Sequence, residues 1–335
     1  MDNEHRHRLA IVDCGTNTFT LHVARFEGRA WKSLFRQRRF VRLGHDSFRT
    51  GRISPDRFRR GLDVLSSFRE TARNYGVTHV RAIGCSALRD ASNGPDFVEA
   101  ARQLGWVVNV IDGDQEAHWI QMGVADTVPP AQLGDDTAVT LDIGGGSVEM
   151  VVWNREAVLG RFSLDLGVAR LTDWIKPSDP PVRKDIESLH RVADQAMAPF
   201  LDCVAQHPPA LLVGTSGAFN TLAVLESEDA QWLPREQADV LPLSTLRSRC
   251  QALSTMRKDA LARTPGIHPD RVPYMAIACA LIDHILDRLP SVHTVMRSRY
   301  TVAEGLFVET AAQLSGGALP AGWVRLSALA SRQGD

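Results

Sequence analysis

Residues 140–150 read TLDIGGGSVEM. Three glycines stand between Asp142 and Glu149, after an apolar run with the composition of a buried strand. A backbone without side chains lets a tight turn aim successive N–H groups into one concavity, and such a concavity binds anions, phosphate above all. Glycine there also permits positive φ. Ser147 adds a hydroxyl donor. Two carboxylates beside a bound phosphate would repel it unless a cation lay between. Asp142 and Glu149 therefore read as ligands of Mg²⁺ or Mn²⁺, with phosphate oxygens completing the shell. Taken alone, the turn also fits a packed glycine hairpin with incidental acids.

The pattern occurs twice. LAIVDCGTNTFTLHVA and AVTLDIGGGSVEMVVW both run apolar strand, Asp, any residue, Gly, two small or polar residues, Thr or Ser, apolar strand. Asp13, Gly15 and Thr18 match Asp142, Gly144 and Ser147, 129 residues apart (142 minus 13). Gly15, Thr16, Asn17 and Thr18 are thus a second candidate phosphate turn, opposite Gly144, Gly145, Gly146 and Ser147. A repeat on this scale predicts a duplicated α/β fold with its halves across a cleft. A third turn, Gly214-Thr215-Ser216-Gly217, ends the strand-like LLV and opens a helix, whose N-terminus can also take an anion. The chain lacks GxxxxGK[ST], so none of these is a Walker-type loop.

The surrounding elements must position these turns. RLAIVDC (8–14) and FTLHVARF (19–26) predict one hairpin; AVTLDI (138–143) and SVEMVVW (147–153) predict another. Apolar spacing, Ser54 and Pro55 at the start and Gly76 at the end predict a helix over 54–76. HVRAIGC and WVVNVI read as strands flanking a short helix at 96–105, and Glu116 falls near the start of a helix at 114–123. Further helices are expected at 182–206, 269–288 and 302–314, with a GGALPAGW turn and a tail after them. Periodicity is lost over 124–136, the expected domain boundary.

Composition narrows the classes. Of 335 residues, 38 are basic and 39 acidic, so overall charge points to neither nucleic acid nor membrane. The longest clearly apolar stretch, YMAIACALI, is too short to span a bilayer. A polar N-terminus and five scattered cysteines without a CxxC pair predict a cytoplasmic protein without disulfides or zinc. One stretch is strongly basic: residues 36–60 hold nine arginines and two acids, read as a solvated helix face and loop or as a patch that steers polyanions. His5, His7 and His45 are expected at the surface, none as a metal ligand.

Together these motifs resemble the exopolyphosphatase/guanosine pentaphosphate phosphohydrolase (Ppx/GppA) family, from about residue 9 to about 310. Residues 13–18 are similar to its D-x-G-[ST]-N-[ST] loop, and Asp142–Glu149 to D-I-G-G-G-S-x-E. Residues 86–89 resemble its T/S-x-x-L-R segment, 110–117 V-I-S-G-x-E-E-A, 166–171 L-G-x-x-R-L, and 213–220 the G-T-x-G turn. The resemblance implies two actin-like, Hsp70-like (ribonuclease H-like) domains facing a central cleft. These would be 1–126 and 127–300, with a helix near 300–315 packing back on the first.

It also implies hydrolysis of terminal phosphoanhydride bonds in inorganic polyphosphate or guanosine pentaphosphate, by a homodimer. Glu116 would be the catalytic base and Arg89 the grip on the terminal phosphoryl group; Asp142 and Glu149 would hold the metal. Longer relatives carry a further C-terminal helical domain, so this is expected to be the short, two-domain form. The family pattern has Ser at 112, Glu at 115 and Arg at 118; here stand Asp112, Gln115 and His118. Two other readings stay open: a silent sensor of polyphosphate or guanosine tetraphosphate, and an actin-like-fold kinase or ATPase.

Overall fold

The computed structural model describes residues 6–226, 237–314 and 319–326. His5 and part of the GGALPAGW turn lie outside the described residues. Two compact units are present: the described residues up to Gly123 with those from Val302 onward, and Val124–Thr301.

In the first unit the apolar run forms β1 (Arg6–Cys14), and the alternating run forms its antiparallel partner β2 (Thr18–Glu27). β3 (Ala30–Phe40) pairs with β2. Two helices, α1 (Ser47–Thr50) and α2 (Pro55–Asn74), lead to β4 (His79–Gly84), parallel to β1. Then come α3 (Ser86–Asp90), α4 (Gly94–Gln103), β5 (Val108–Val110), parallel to β4, and α5 (Gly113–Thr127). α2 forms because Pro55 presets its first turn and Leu65, Phe68 and Ala72 share its buried face. Ser54 stands at its N-cap, but the hydroxyl donates to Asp56 Oδ1 at 2.6 Å and not to a helix N–H.

The second unit runs α6 (Pro130–Leu133), β6 (Thr137–Ile143), β7 (Val148–Trp153), β8 (Val158–Leu164), α7 (Val168–Ile175) and α8 (Arg183–Gln206). It continues with β9 (Pro209–Thr215), α9 (Ser216–Glu226), β10 (Asp239–Leu241), α10 (Leu243–Ser254) and α11 (Lys258–Arg263). A 3₁₀ turn (Pro269–Arg271), α12 (Val272–Asp287) and β11 (Thr294–Arg297) complete it. α13 (Val302–Gln313) then packs on β1, β2 and β3, and β12 (Val324–Arg325) pairs with β4.

Both units contain one sheet topology. β5-β4-β1-β2-β3 in the first matches β11-β9-β6-β7-β8 in the second, with the same parallel and antiparallel sense at every pairing. The fold is α/β, a duplicated actin-like domain. Among the described residues no helix is long and apolar enough to cross a membrane.

The sequence did not predict β10, β11 or β12, and two longer strands also differ from its expectation. Residues 36–40 lie on β3, not on a helix face or loop, and β8 was not expected. Both occupy sheet edges and are half-exposed, so neither carries the apolar alternation that marks a strand.

α13 is anchored to its sheet by a buried polar cluster. Glu304 on α13 lies 3.1 Å from His22 Nδ1 on β2 and 3.1 Å from Arg36 Nη1 on β3, while Ser33 Oγ is 2.9 Å from His22 Nε2. Burial holds the His22 pKa below its usual value; Glu304 opposes that shift, and Arg36 and Arg38 reinforce it. A depressed histidine pKa means the unfolded chain binds the extra proton more readily. Stability from this group is therefore intact above about pH 6.5 and declines as pH falls through the folded pKa. His79 and His190 are shifted the same way, chiefly by burial. Urea unfolding between pH 7 and 5 is expected to show falling stability, with a shallower fall in a His22→Gln variant; equal slopes would remove His22 from this account.

Candidate active site

Each glycine turn closes on itself in the same way. Gly15 N–H donates to Thr18 O at 3.2 Å, and Gly144 N–H to Ser147 O at 3.0 Å. A Cβ on Gly15 would lie 3.0 Å from Thr18 O, and one on Gly144 2.9 Å from Ser147 O. Glycine is required at both positions by this close approach. It is not required by positive φ, since residues 15 and 144–146 are not among the positive-φ glycines.

A clamp then fixes the peptide planes. In the second unit Val168 N–H donates to Gly144 O at 3.0 Å, Ala169 N–H to Gly145 O at 2.8 Å, and the buried Arg170 Nε to Gly146 O at 2.6 Å. These peptides are trans, so their N–H groups, on Gly145, Gly146 and Ser147, point away from α7. In the first unit Gly44 N–H donates to Thr16 O at 3.0 Å, and Val41 and Arg42 N–H to Asn17 O at 3.0 and 2.9 Å. The N–H groups of Asn17 and Thr18 are turned outward by the same logic. Both clamps use a Leu-Gly pair just after the third strand, Leu43-Gly44 and Leu166-Gly167. A Cβ on Gly167 would sit 2.3 Å from Gly146 C. The pair repeats in sequence but is too short to be noticed unprompted. Arg170 was legible only as part of a motif, not as the support of the turn.

Asp142 and Glu149 are directly opposed on β6 and β7, so their side chains share one face, and both are buried. Ser216 Oγ donates to Asp142 Oδ2 at 2.7 Å, and Ser163 Oγ to Glu149 Oε1 at 2.9 Å. This hard-oxygen set fits Mg²⁺ or Mn²⁺. Among the described residues no three His, Cys, Asp or Glu side chains are placed to hold a metal, so water and phosphate oxygens would complete the shell.

Glu116 occupies the first turn of α5, and Arg89 lies in the last turn of α3. Arg89 Nη1 donates to Ile111 O at 2.8 Å and lies 3.7 Å from Glu116 Oε2. The structure thus brings the expected base and its arginine together within one unit. The departures nearby have duties of their own. Gln115 N–H donates to Asp112 Oδ1 at 2.8 Å, and Asp112 N–H to Gln115 Oε1 at 3.4 Å, a reciprocal cap on α5. His118 Nε2 lies 3.7 Å from Glu309 Oε1 on α13.

The residues of the third turn are held by contacts within the second unit. Thr215 is fully buried and donates its hydroxyl to Tyr300 O at 2.6 Å. Gly214 is small because Phe219 covers it: a Cβ there would lie 2.2 Å from the ring. Gly217 O accepts from Arg271, whose guanidinium also donates to Thr221 Oγ1. Desolvation lowers the Arg271 pKa to about 10. Sequence reasoning passed over Arg271, which lies 54 residues from the carbonyl it grips.

Comparison with known proteins agrees with this geometry. The Ppx/GppA phosphatase family matches residues 22–314. Exopolyphosphatase 2 of Mycobacterium tuberculosis is 30% identical over 295 residues, 84% of this chain and 91% of its own. A guanosine-5'-triphosphate,3'-diphosphate pyrophosphatase of Aliivibrio fischeri is 30% identical over 64% of this chain and 42% of its own. An exopolyphosphatase structure from Cytophaga hutchinsonii superposes with TM-score 0.86 at 28% identity, covering 93% of this chain and all of that one.

An Arg170→Met variant is expected to fold but to lose about 1–3 kcal/mol, the cost of leaving a buried carbonyl unsatisfied. It should also lose phosphate release in greater proportion than a stability-matched core variant; equal losses would make Arg170 merely structural. With the turn, the clamp and the Glu116–Arg89 pair in place, and with the family's match spanning most of its length, this chain belongs to the Ppx/GppA phosphatase family.

Proposed function

We propose that the chain hydrolyses terminal phosphoanhydride bonds, releasing orthophosphate from inorganic polyphosphate or guanosine pentaphosphate. The observation that carries this is the Glu116–Arg89 pair, 3.7 Å apart, in a chain of a phosphatase family. Glu116 orients and deprotonates the attacking water. Arg89 holds oxygens of the outgoing phosphoryl group with a fork that stays charged. In the same unit as Glu116 and Arg89, the outward N–H groups of the 15–18 turn bind further phosphate oxygens. In the second unit Asp142 and Glu149 would hold Mg²⁺ or Mn²⁺, whose chemistry is to neutralise phosphate charge. Relatives named for each of the two substrates share 30% identity with the chain, the exopolyphosphatase over 295 residues and the pyrophosphatase over 214.

The bearing of the departures is now clear. A silent sensor was kept open by Gln115 and His118. Gln115 caps α5 and His118 meets Glu309, so neither displaces Glu116 or Arg89. This favours catalysis over sensing. A homodimer, expected from the family, belongs to the same proposal.

The test is phosphate release with Mg²⁺ or Mn²⁺ from polyphosphate, guanosine pentaphosphate and ATP, by wild type and Glu116→Gln. Release from either of the first two, with ATP slow, is expected. Glu116→Gln should lower it by roughly 10²–10⁴-fold while substrate binding persists. Full activity in Glu116→Gln would sink the mechanism, and release from ATP alone would restore the kinase or ATPase reading.

A further inference from the structure

Glu116 needs a fixed helix beneath it. Orienting and deprotonating a water require the carboxylate within hydrogen-bond reach, and a misplacement of about 1 Å can cost about 10²-fold in rate. The start of α5 has its own anchors: the Asp112–Gln115 cap, and Ile111 O held by Arg89. The next anchor lies one turn further on, and α13 supplies it.

α13 reads VAEGLFVETAAQ and carries a glycine, Gly305, within the helix. Glycine there costs stability relative to alanine, so its place needs a reason. A Cβ on Gly305 would lie 1.7 Å from Trp119 O, 2.5 Å from Trp119 C and 3.0 Å from Trp119 Cα. All three are backbone atoms of α5, so no side chain can swing aside. α13 and α5 meet backbone to backbone at this point, an approach only glycine permits. A residue with a Cβ must part the two helices by about 1.3 Å (3.0 minus 1.7) to reach even a 3.0 Å separation.

Trp119 follows Glu116 on the same face of α5, about 4.5 Å along the axis, and both are buried. The Trp119 ring is held as well. The Arg81 guanidinium, from β4, lies 4.8 Å from the ring centroid, and its Nη1 is 3.8 Å from Glu309 Oε2 on α13. Burial lowers the Arg81 pKa, and Glu309 opposes that shift. Glu309 also lies 3.7 Å from His118, the neighbour of Trp119. α13 is itself fixed: Glu304 ties its first turn to His22 and Arg36, and Phe307 packs edge-on against His22 with ring centroids 5.0 Å apart.

The geometry points to Gly305 and Arg81 as positioning residues for Glu116. α13 is the surface on which Trp119 seats, and that seat sets where the Glu116 carboxylate stands one turn earlier. This rests on the proposed function and names the support of that same site. Arg89 and the 15–18 turn, which grip phosphate in that reading, do not depend on the seat. Disturbing it therefore acts on kcat and spares KM.

The experiment measures phosphate release from polyphosphate and guanosine pentaphosphate, with the unfolding midpoint of each variant alongside. Gly305→Ala is expected to lower kcat about 10–100-fold while KM stays within about twofold. Gly61→Ala is the control. It crowds α2 in the same unit, where an added Cβ would lie 2.7 Å from the Phe97 ring. It should lower the unfolding midpoint and leave kcat unchanged. In Glu116→Gln protein, Gly305→Ala should alter the residual rate by less than about twofold, since the group it acts through is already gone.

Unchanged kcat in Gly305→Ala, equal loss in Gly61→Ala, a rise in KM as large as the fall in kcat, or a full further loss in Glu116→Gln protein would overturn the positioning role. If Gly305→Ala does not fold, Arg81→Met and Arg81→Lys decide. Arg81→Met should lower kcat at constant KM, and Arg81→Lys, which keeps a cation for Glu309 and the Trp119 ring, should recover part of it. Loss in neither, or equal loss in both, overturns it. If wild type releases no phosphate from either substrate, the proposed function falls and the positioning role falls with it. If wild type is active, Glu116→Gln is not, and Gly305→Ala matches wild type, the positioning role alone falls.

Discussion

A hydrogen-bonded clamp on three glycine carbonyls is the constraint that sets the shape of the second unit's glycine turn. Backbone amides bind an anion only if several N–H groups converge, and a free glycine run has no reason to converge. Engaging the opposite end of each peptide plane supplies the reason. Once Gly144, Gly145 and Gly146 carbonyls are taken by Val168, Ala169 and Arg170, the orientation of three N–H groups is settled before any ligand arrives. The clamp explains the composition around it. Gly167 must be bare because it presses on the turn, and Arg170 is buried because its acceptor is. Arg170 keeps company suited to a buried cation, with Asp165 at 3.1 Å and the Trp174 ring 5.5 Å away.

The duplicated unit repeats this scheme with one physical difference. Across the ladder from Asp13 stands Thr20, whereas across from Asp142 stands Glu149. At this position the second unit opposes two carboxylates and the first a carboxylate and a hydroxyl. The first unit holds its turn by backbone N–H groups of Val41, Arg42 and Gly44. The residue before Leu-Gly is Arg42 in the first unit and Asp165 in the second, where it balances Arg170. One topology has thus diverged in the residues that flank its turn.

What the sequence disclosed follows from the range of the interactions. The hairpins, the turns between them and α2 are local, and each is set by patterning and glycine within a few residues, so they were readable. β3 and β8 were not, because edge strands with half-exposed faces lack apolar alternation, and β3 is crowded with arginines besides. Asp112 and Gln115 looked like departures from a motif. As a pair three apart at a helix start they keep the capping logic of Ser and Glu, with the charge moved from one partner to the other. The role of Arg271 could not be read, since nothing local marks an arginine whose acceptors lie 54 and 50 residues away.

The third turn shows how far its residues are committed to contacts within the protein. Gly-Thr-Ser-Gly invites reading every hydroxyl as a phosphate donor. Thr215 is turned inward to Tyr300, and Ser216 reaches Asp142. Ser216 does so from a left-handed backbone, φ 66°, which costs a non-glycine residue about 1–2 kcal/mol. Glycine would remove that cost, yet glycine has no hydroxyl. The conformation persists because the chain on either side is fixed: Thr215 to Tyr300, and Gly217 to Arg271. In the first unit the residue after the corresponding parallel strand does the same, Cys85 donating its thiol to Asp13 at 3.6 Å. The segment following the parallel strand therefore holds the aspartate in both units, by a thiol in the first and by a strained serine in the second.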